Sequence, residues 1–187
     1  MRKIAFVTSN KHKLEEMQKV LLDYDIKLEQ IEIDYPEDKE KEMEEIVLEA
    51  SKNLSEKLGR DVIVEDTGLY FEAYHNFPGA QPKFVYNTLG FKGILKLLDK
   101  ENRNARFKTI IGYCSPGKEP RIFTGEMKGV ISEKVYSPEK NVMPYDHIFV
   151  PEGLSQAIVD MSLDAKNSFS QRGIATRKFG EFIKNSK

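Results

Sequence analysis

The hydrophobic period constrains this chain most tightly, because it switches back and forth within the first third of the sequence. Lys3 to Thr8 is a short apolar run closed by Ser9-Asn10, and from Leu14 the apolar positions Leu14, Met17 and Leu21 recur at helical spacing. Lys27 to Ile33 sets Leu28, Ile31 and Ile33 among charges in the manner of a strand, closed by Tyr35-Pro36. Glu42 to Leu58 carries Met43, Ile46, Val47 and Leu54 at helical intervals, with Gly59 as the stop. Val62-Ile63-Val64 is a continuous apolar strand of the kind found in parallel sheets. Strand alternating with helix in this way predicts an α/β fold.

The second half predicts a different arrangement. Phe77-Pro78-Gly79 reads as a turn, and Phe84 to Leu89 and Ile94 to Leu98 read as helical pieces divided at Gly90. Ala105 to Cys114 is a strand, followed by a hairpin turn at Ser115-Pro116-Gly117-Lys118 and by strands at Arg121 to Thr124 and Gly129 to Val135. Three strands joined by short turns predict an antiparallel meander attached to the parallel part. A short strand at His147 to Val150 and a helix from Ser170 to Lys184 complete the chain. There is no internal repeat and no low-complexity linker, so residues 1–187 are expected to form one compact domain with room for two lobes.

Charge and composition narrow the function. With 29 Lys plus Arg against 30 Asp plus Glu, the net charge of −1 excludes a strongly basic nucleic-acid binder. The 40% of hydrophobic residues suffices for a core and sets the chain apart from disordered sequences. No apolar run is long enough to cross a bilayer and the first residues run into a patterned strand, so a soluble cytoplasmic protein is expected. Cys114 is the single cysteine, and His12, His75 and His147 have no zinc-site spacing; any metal should be bound through oxygen, which means Mg²⁺ or Mn²⁺. The charge is unevenly spread: Glu37 to Glu49 holds seven acids and two bases, and Lys166 to Lys187 six bases and one acid. A metal-plus-anion site and solvated helix faces both produce that distribution.

Three segments are candidates for chemistry. Thr8-Ser9-Asn10-Lys11-His12-Lys13 falls where a strand hands over to a helix, and the backbone N–H groups of a helix start are receptive to phosphate. Lys11 and Lys13 are unfavourable there unless an anion neutralises them. The glycines of G-x-x-x-x-G-K-[ST] are missing, which excludes an ordinary P-loop, and an N-cap followed by surface lysines gives the same pattern. Glu65-Asp66-Thr67-Gly68 follows the Val62 strand at the carboxyl end, where open α/β sheets bind ligands. Side chains alternate across a strand, so one of Glu65 and Asp66 is expected in a cleft; a bare Asp-Thr-Gly turn is the alternative. Glu37 is a candidate second oxygen ligand at the same edge. Tyr145-Asp146, Lys166 and Gln171-Arg172 form the third group, with Arg172 in the first turn of the last helix behind an N-cap at Ser170. A bland surface helix is the alternative there.

Taken in order, Thr8-Ser9-Asn10 with Lys13, Tyr35-Pro36-Glu37, Glu65-Asp66-Thr67-Gly68, Phe77-Pro78-Gly79-Ala80, Gly93-Ile94-Leu95, Arg103-Asn104-Ala105 with Phe107, Tyr145-Asp146, and Lys166 with Ser170 and Arg172 resemble the inosine triphosphate pyrophosphatase family, the Ham1-like enzymes of archaeal and bacterial type. The resemblance spans nearly the whole chain. It implies an elongated two-lobed α/β fold, with a long central mixed sheet flanked by helices, a cleft between the lobes, and usually a homodimer. It also implies Mg²⁺-dependent hydrolysis of non-standard purine nucleoside triphosphates (ITP, dITP, XTP) to the monophosphate and pyrophosphate, which cleanses the nucleotide pool.

The same resemblance assigns roles. Thr8, Ser9, Asn10, Lys11, His12 and Lys13 would hold the triphosphate, with Lys52 and Lys83 facing phosphates and Thr67 in the substrate set. Glu37 and Asp66 would hold Mg²⁺, for which Mn²⁺ is a possible substitute, and Asp66 would be the base for the attacking water. Met143, Pro144, Tyr145, Asp146, Lys166, Gln171 and Arg172 would surround the purine. A C6 carbonyl satisfies donors from Arg172, whereas a 6-amino group leaves them unpaired, at a cost of about 1 to 3 kcal/mol. Met143-Pro144 stands where the family has Phe-Gly, Lys140-Asn141-Val142 replaces preceding glycines, and Gln171 replaces a His. An amide both donates and accepts, so broader or weaker purine selectivity is expected. A pyrophosphatase for other modified nucleotides and a nucleotide-binding protein with weakened catalysis are the two alternative functions.

Overall fold

The alternating first third is realised as β1 (Arg2–Val7), α1 (Lys11–Leu21), β2 (Ile26–Ile31), α2 (Met43–Leu58) and β3 (Val62–Phe71) in the computed structural model, which describes residues 1–35 and 41–186. There follow β4 (Pro78–Gly79), α3 (Pro82–Leu97), β5 (Asn104–Cys114), β6 (Arg121–Ile131), β7 (Phe149–Pro151), α4 (Leu163–Phe169) and α5 (Gln171–Asn185). The strands form one mixed sheet in the order β2-β1-β3-β5-β6-β7, with β4 paired to β3. β1 runs parallel to both neighbours, Arg2 lying opposite Ile26 and Ala5 opposite Val62. β4 and β7 pair antiparallel, with Leu69 opposite Gly79 and Gly129 opposite Pro151. The α/β class and the mixed sheet flanked by helices are therefore as expected.

The helix boundaries follow local chemistry. Asn10 caps α1, its side-chain oxygen accepting from the backbone N–H of His12 and of Lys13 at 3.0 and 3.3 Å. Gly59, at φ +61, ends α2 in the left-handed conformation that glycine adopts without strain. The predicted break at Gly90 is present inside α3.

Three expectations are corrected. β3 does not stop at Val64: Glu65-Asp66-Thr67-Gly68 lies within the strand, neither at its carboxyl end nor in a turn. Leu69 and Phe71, at 0% and 1% exposure, carry the strand past Gly68 because their burial rewards the extended chain. β6 is a single strand of 11 residues rather than two. Gly125 and Gly129 serve close approach instead of turns: a Cβ on Gly125 would collide with the carbonyl of Gln171 in α5, and one on Gly129 with the carbonyl of Val150. The predicted three-strand meander is thus a hairpin of β5 and β6. The third correction is α4, whose seven residues carry no apolar period to reveal it.

The chain divides into two compact units. The first comprises Met1–Asp66, Thr109–Gly125 and Ser170–Lys187, the second Thr67–Lys108 and Glu126–Phe169. The first has a core of Ile4, Phe6, Met17, Leu21, Ile26, Ile63, Ile111 and Phe179, where sheet residues meet the apolar faces of α1 and α5. The second is built on Leu69, Phe71, Ile94, Phe107, Ile148 and Phe149. Burying one such side chain contributes about 1.5–3 kcal/mol. No helix among the described residues is long and apolar enough to cross a membrane.

Candidate functional site

The loop between β1 and α1 folds on itself before it can meet any ligand. Thr8 Oγ1 accepts from the N–H of Asn10 at 3.1 Å, and Asn10 caps the helix. Ser9 and Lys11 are exposed, while His12 and Lys13 are half-buried.

Lys13 turns inward. Its Nζ lies 2.5 Å from Oε2 of Glu65 and donates to the Glu65 carbonyl at 3.2 Å. The other carboxylate oxygen, Oε1, accepts from Nε of Arg172 at 3.2 Å, and Nη1 of Arg172 donates to Glu16 at 2.5 Å. Lys13, Glu65, Arg172 and Glu16 thus form an alternating chain of charge that ties α1, β3 and the first turn of α5. The side chains of Glu65 and Arg172 are 0% and 2% exposed. Ions removed so far from water are tolerated where opposite charges replace hydration, and each member here has at least one such neighbour. Of the two adjacent acids, Glu65 is the buried one, and Asp66, on the opposite face of the strand, is half-buried.

Two predicted residues lie outside this group. Lys52 is exposed and 3.2 Å from Glu119, a surface pair worth about 0–1 kcal/mol. A cavity of about 350 Å³ is lined by Asp34, Tyr35, Lys41, Glu49, Ala50, Asn53 and Lys57, but not by Lys52. Glu37 falls outside the described residues. No three His, Cys, Asp or Glu side chains gather into a metal-binding group among the described residues. Mg²⁺ on a nucleotide needs just one or two carboxylates, with phosphates and water supplying the rest, and Asp66 is an oxygen donor of that kind.

The second unit brings together another set. Nζ of Lys166, on α4, lies 2.5 Å from Oδ2 of Asp146, both side chains being 9% exposed. Tyr145 packs edge-on against Tyr86 and Phe107, and its hydroxyl donates to the carbonyl of Pro82 at 3.1 Å, next to the exposed Lys83. Burial pushes the Tyr145 hydroxyl above the usual phenol range, so it remains a donor. Thr67 is buried, and Met143 and Pro144 are half-buried. Gln171, in the first unit, is 5% exposed, and its buried Oε1 has no hydrogen-bond partner among the described residues.

The family model of Ham1 proteins matches residues 4–182. The chain belongs to the Ham1 family. It is 40% identical to a dITP/XTP pyrophosphatase of Methanopyrus kandleri over 98% of this chain and 97% of that protein. It is 36% identical to a dITP/XTP pyrophosphatase of Thermococcus kodakarensis over 98% of each. Two solved structures share the fold. The Staphylococcus aureus Ham1 protein has a TM-score of 0.78 at 24% identity over 100% of both chains. A HAM1 protein from Coxiella burnetii has a TM-score of 0.80 at 23% identity, covering 99% of this chain and 100% of that one. In this Ham1 chain, Glu16 is the member of the charge chain that sequence reasoning passed over. Glu15-Glu16 looks like a solvated acidic pair, and only its place one turn after Lys13 sets Glu16 apart.

Proposed function

We propose that this chain hydrolyses non-standard purine nucleoside triphosphates such as ITP, dITP and XTP to the monophosphate and pyrophosphate. The observation that supports this most is the near full-length identity to the dITP/XTP pyrophosphatases, strengthened by the convergence of Lys13, Glu65 and Arg172 beside Asp66. Attack of water on the α-phosphorus requires dispersed negative charge to be neutralised and the water to be held in line. The loop from Thr8 to Lys13 takes the triphosphate. Asp66 orients the water and accepts its proton. Mg²⁺, or Mn²⁺ in its place, would be held by Asp66 and Glu37 and would supply charge neutralisation at the phosphates. Met143, Pro144, Tyr145, Asp146, Lys166, Gln171 and Arg172 serve the base. The reading extends to a cytoplasmic homodimer.

Incubation with ITP, XTP, dITP, ATP and GTP followed by product separation tests it. Monophosphate and pyrophosphate are expected from the first three; orthophosphate and a diphosphate as main products would sink the α-phosphorus mechanism. The unpartnered Oε1 of Gln171 bears on selectivity, because an acceptor there tolerates a 6-amino group. Gln171→His is expected to raise the ITP over ATP ratio of kcat/KM by about fivefold or more, the equivalent of one mispaired hydrogen bond. An unchanged ratio would mean that Gln171 does not read the base. The altered base loop favours one second reading, a nucleotide-binding protein with weakened catalysis, and tight ITP binding without pyrophosphate release would establish it.

A further inference from the structure

We infer that Glu65 is a positioning residue that holds Lys13 for the triphosphate; this rests on the proposed phosphate role of Lys13. Lysine has a long flexible stem and loses much rotamer freedom when its ammonium is fixed on an anion. Here that freedom is already restricted, since Nζ contacts both Oε2 and the main-chain carbonyl of Glu65, at 2.5 and 3.2 Å. Glu65 is itself immobile: its side chain is 0% exposed on a sheet strand, and Arg172 holds the other carboxylate oxygen at 3.2 Å. The next residue along the strand is Asp66, so Glu65 fixes the ammonium relative to the segment that carries the proposed base. Lys13 retains 17% side-chain exposure, which leaves it accessible to a ligand while its partner is not. Order already present before binding is order that binding need not create, which lowers KM more than it raises kcat.

Steady-state kinetics with ITP on a double-mutant cycle tests the inference. Glu65→Gln keeps the length of the side chain and removes its charge. It is expected to raise KM about tenfold with kcat changed less than about threefold, and to raise KM less than about twofold when Lys13 is already Met. A residue needed only for the fold would act equally in both backgrounds. If Lys13→Met alone raises KM while Glu65→Gln leaves it unchanged, or raises it equally with and without Lys13, the positioning role is overturned and the phosphate role stands. If Lys13→Met leaves KM unchanged, the phosphate role fails and this inference falls with it. Should Glu65→Gln not fold, Glu65→Asp carries the same comparison. It keeps the charge but draws it back by about 1.5 Å, and a KM rise confined to the background containing Lys13 is again the expected result.

Discussion

Asp66→Asn is expected to lower kcat for ITP by about 10²- to 10⁴-fold, the usual contribution of a general base, while the melting temperature moves by no more than a few degrees. The asymmetry follows from where the residue sits. Asp66 is half-buried on a strand whose pairing depends on the backbone, and the amide occupies nearly the volume of the carboxylate. In the proposed role, the substitution removes the capacity to take a proton from water and a negative charge near the phosphates. Pyrophosphate release and thermal unfolding measured on the same preparation separate the two effects. Undiminished turnover would exclude Asp66 as the base. A large loss of stability would mean that the residue chiefly supports β3, and the loss of rate would then say nothing about chemistry.

Much of the architecture was legible because period and burial coincide in it. Val62-Ile63-Val64 is apolar without interruption and lies in the sheet interior, and Leu14, Met17 and Leu21 present one helical face that packs inward or against the core. The pattern misled where one residue type serves two purposes. Gly125 and Gly129 carry the same local signal as turn glycines, and only the nearness of α5 and β7 shows that they leave room for another backbone. Glu65 was difficult for a related reason. A charged pair before Thr-Gly resembles the end of a strand, whereas the charge of Glu65 is answered by Lys13, 52 residues earlier, and by Arg172, 107 residues later. No local window contains such a pairing. The candidate residues could be named one by one, but their mutual commitment belongs to the fold, and Glu16 belongs to it entirely.

The largest stability effect should come from Arg172→Met. Methionine fills much of the same volume without a charge, so the loss reports on electrostatics more than on a cavity. Arg172 pairs with both Glu16 and Glu65, and its side chain is 2% exposed. Removing one partner of a buried ion pair costs about 3–5 kcal/mol, because the remaining charge stays out of water without compensation. For a chain of this size that corresponds to a fall in melting temperature of roughly 6–20 °C. Glu16→Gln discriminates between this cause and simple loss of packing. Alone it should destabilise, since it leaves Arg172 short of a counter-charge; added to Arg172→Met it should recover part of the loss, since it removes the orphaned carboxylate. Denaturant unfolding of the four proteins gives the coupling directly, and effects that simply add would show that Glu16 and Arg172 do not depend on each other. A coupling of about 1 kcal/mol or more would show that the ion chain joins α5 to α1 in addition to the apolar core they share.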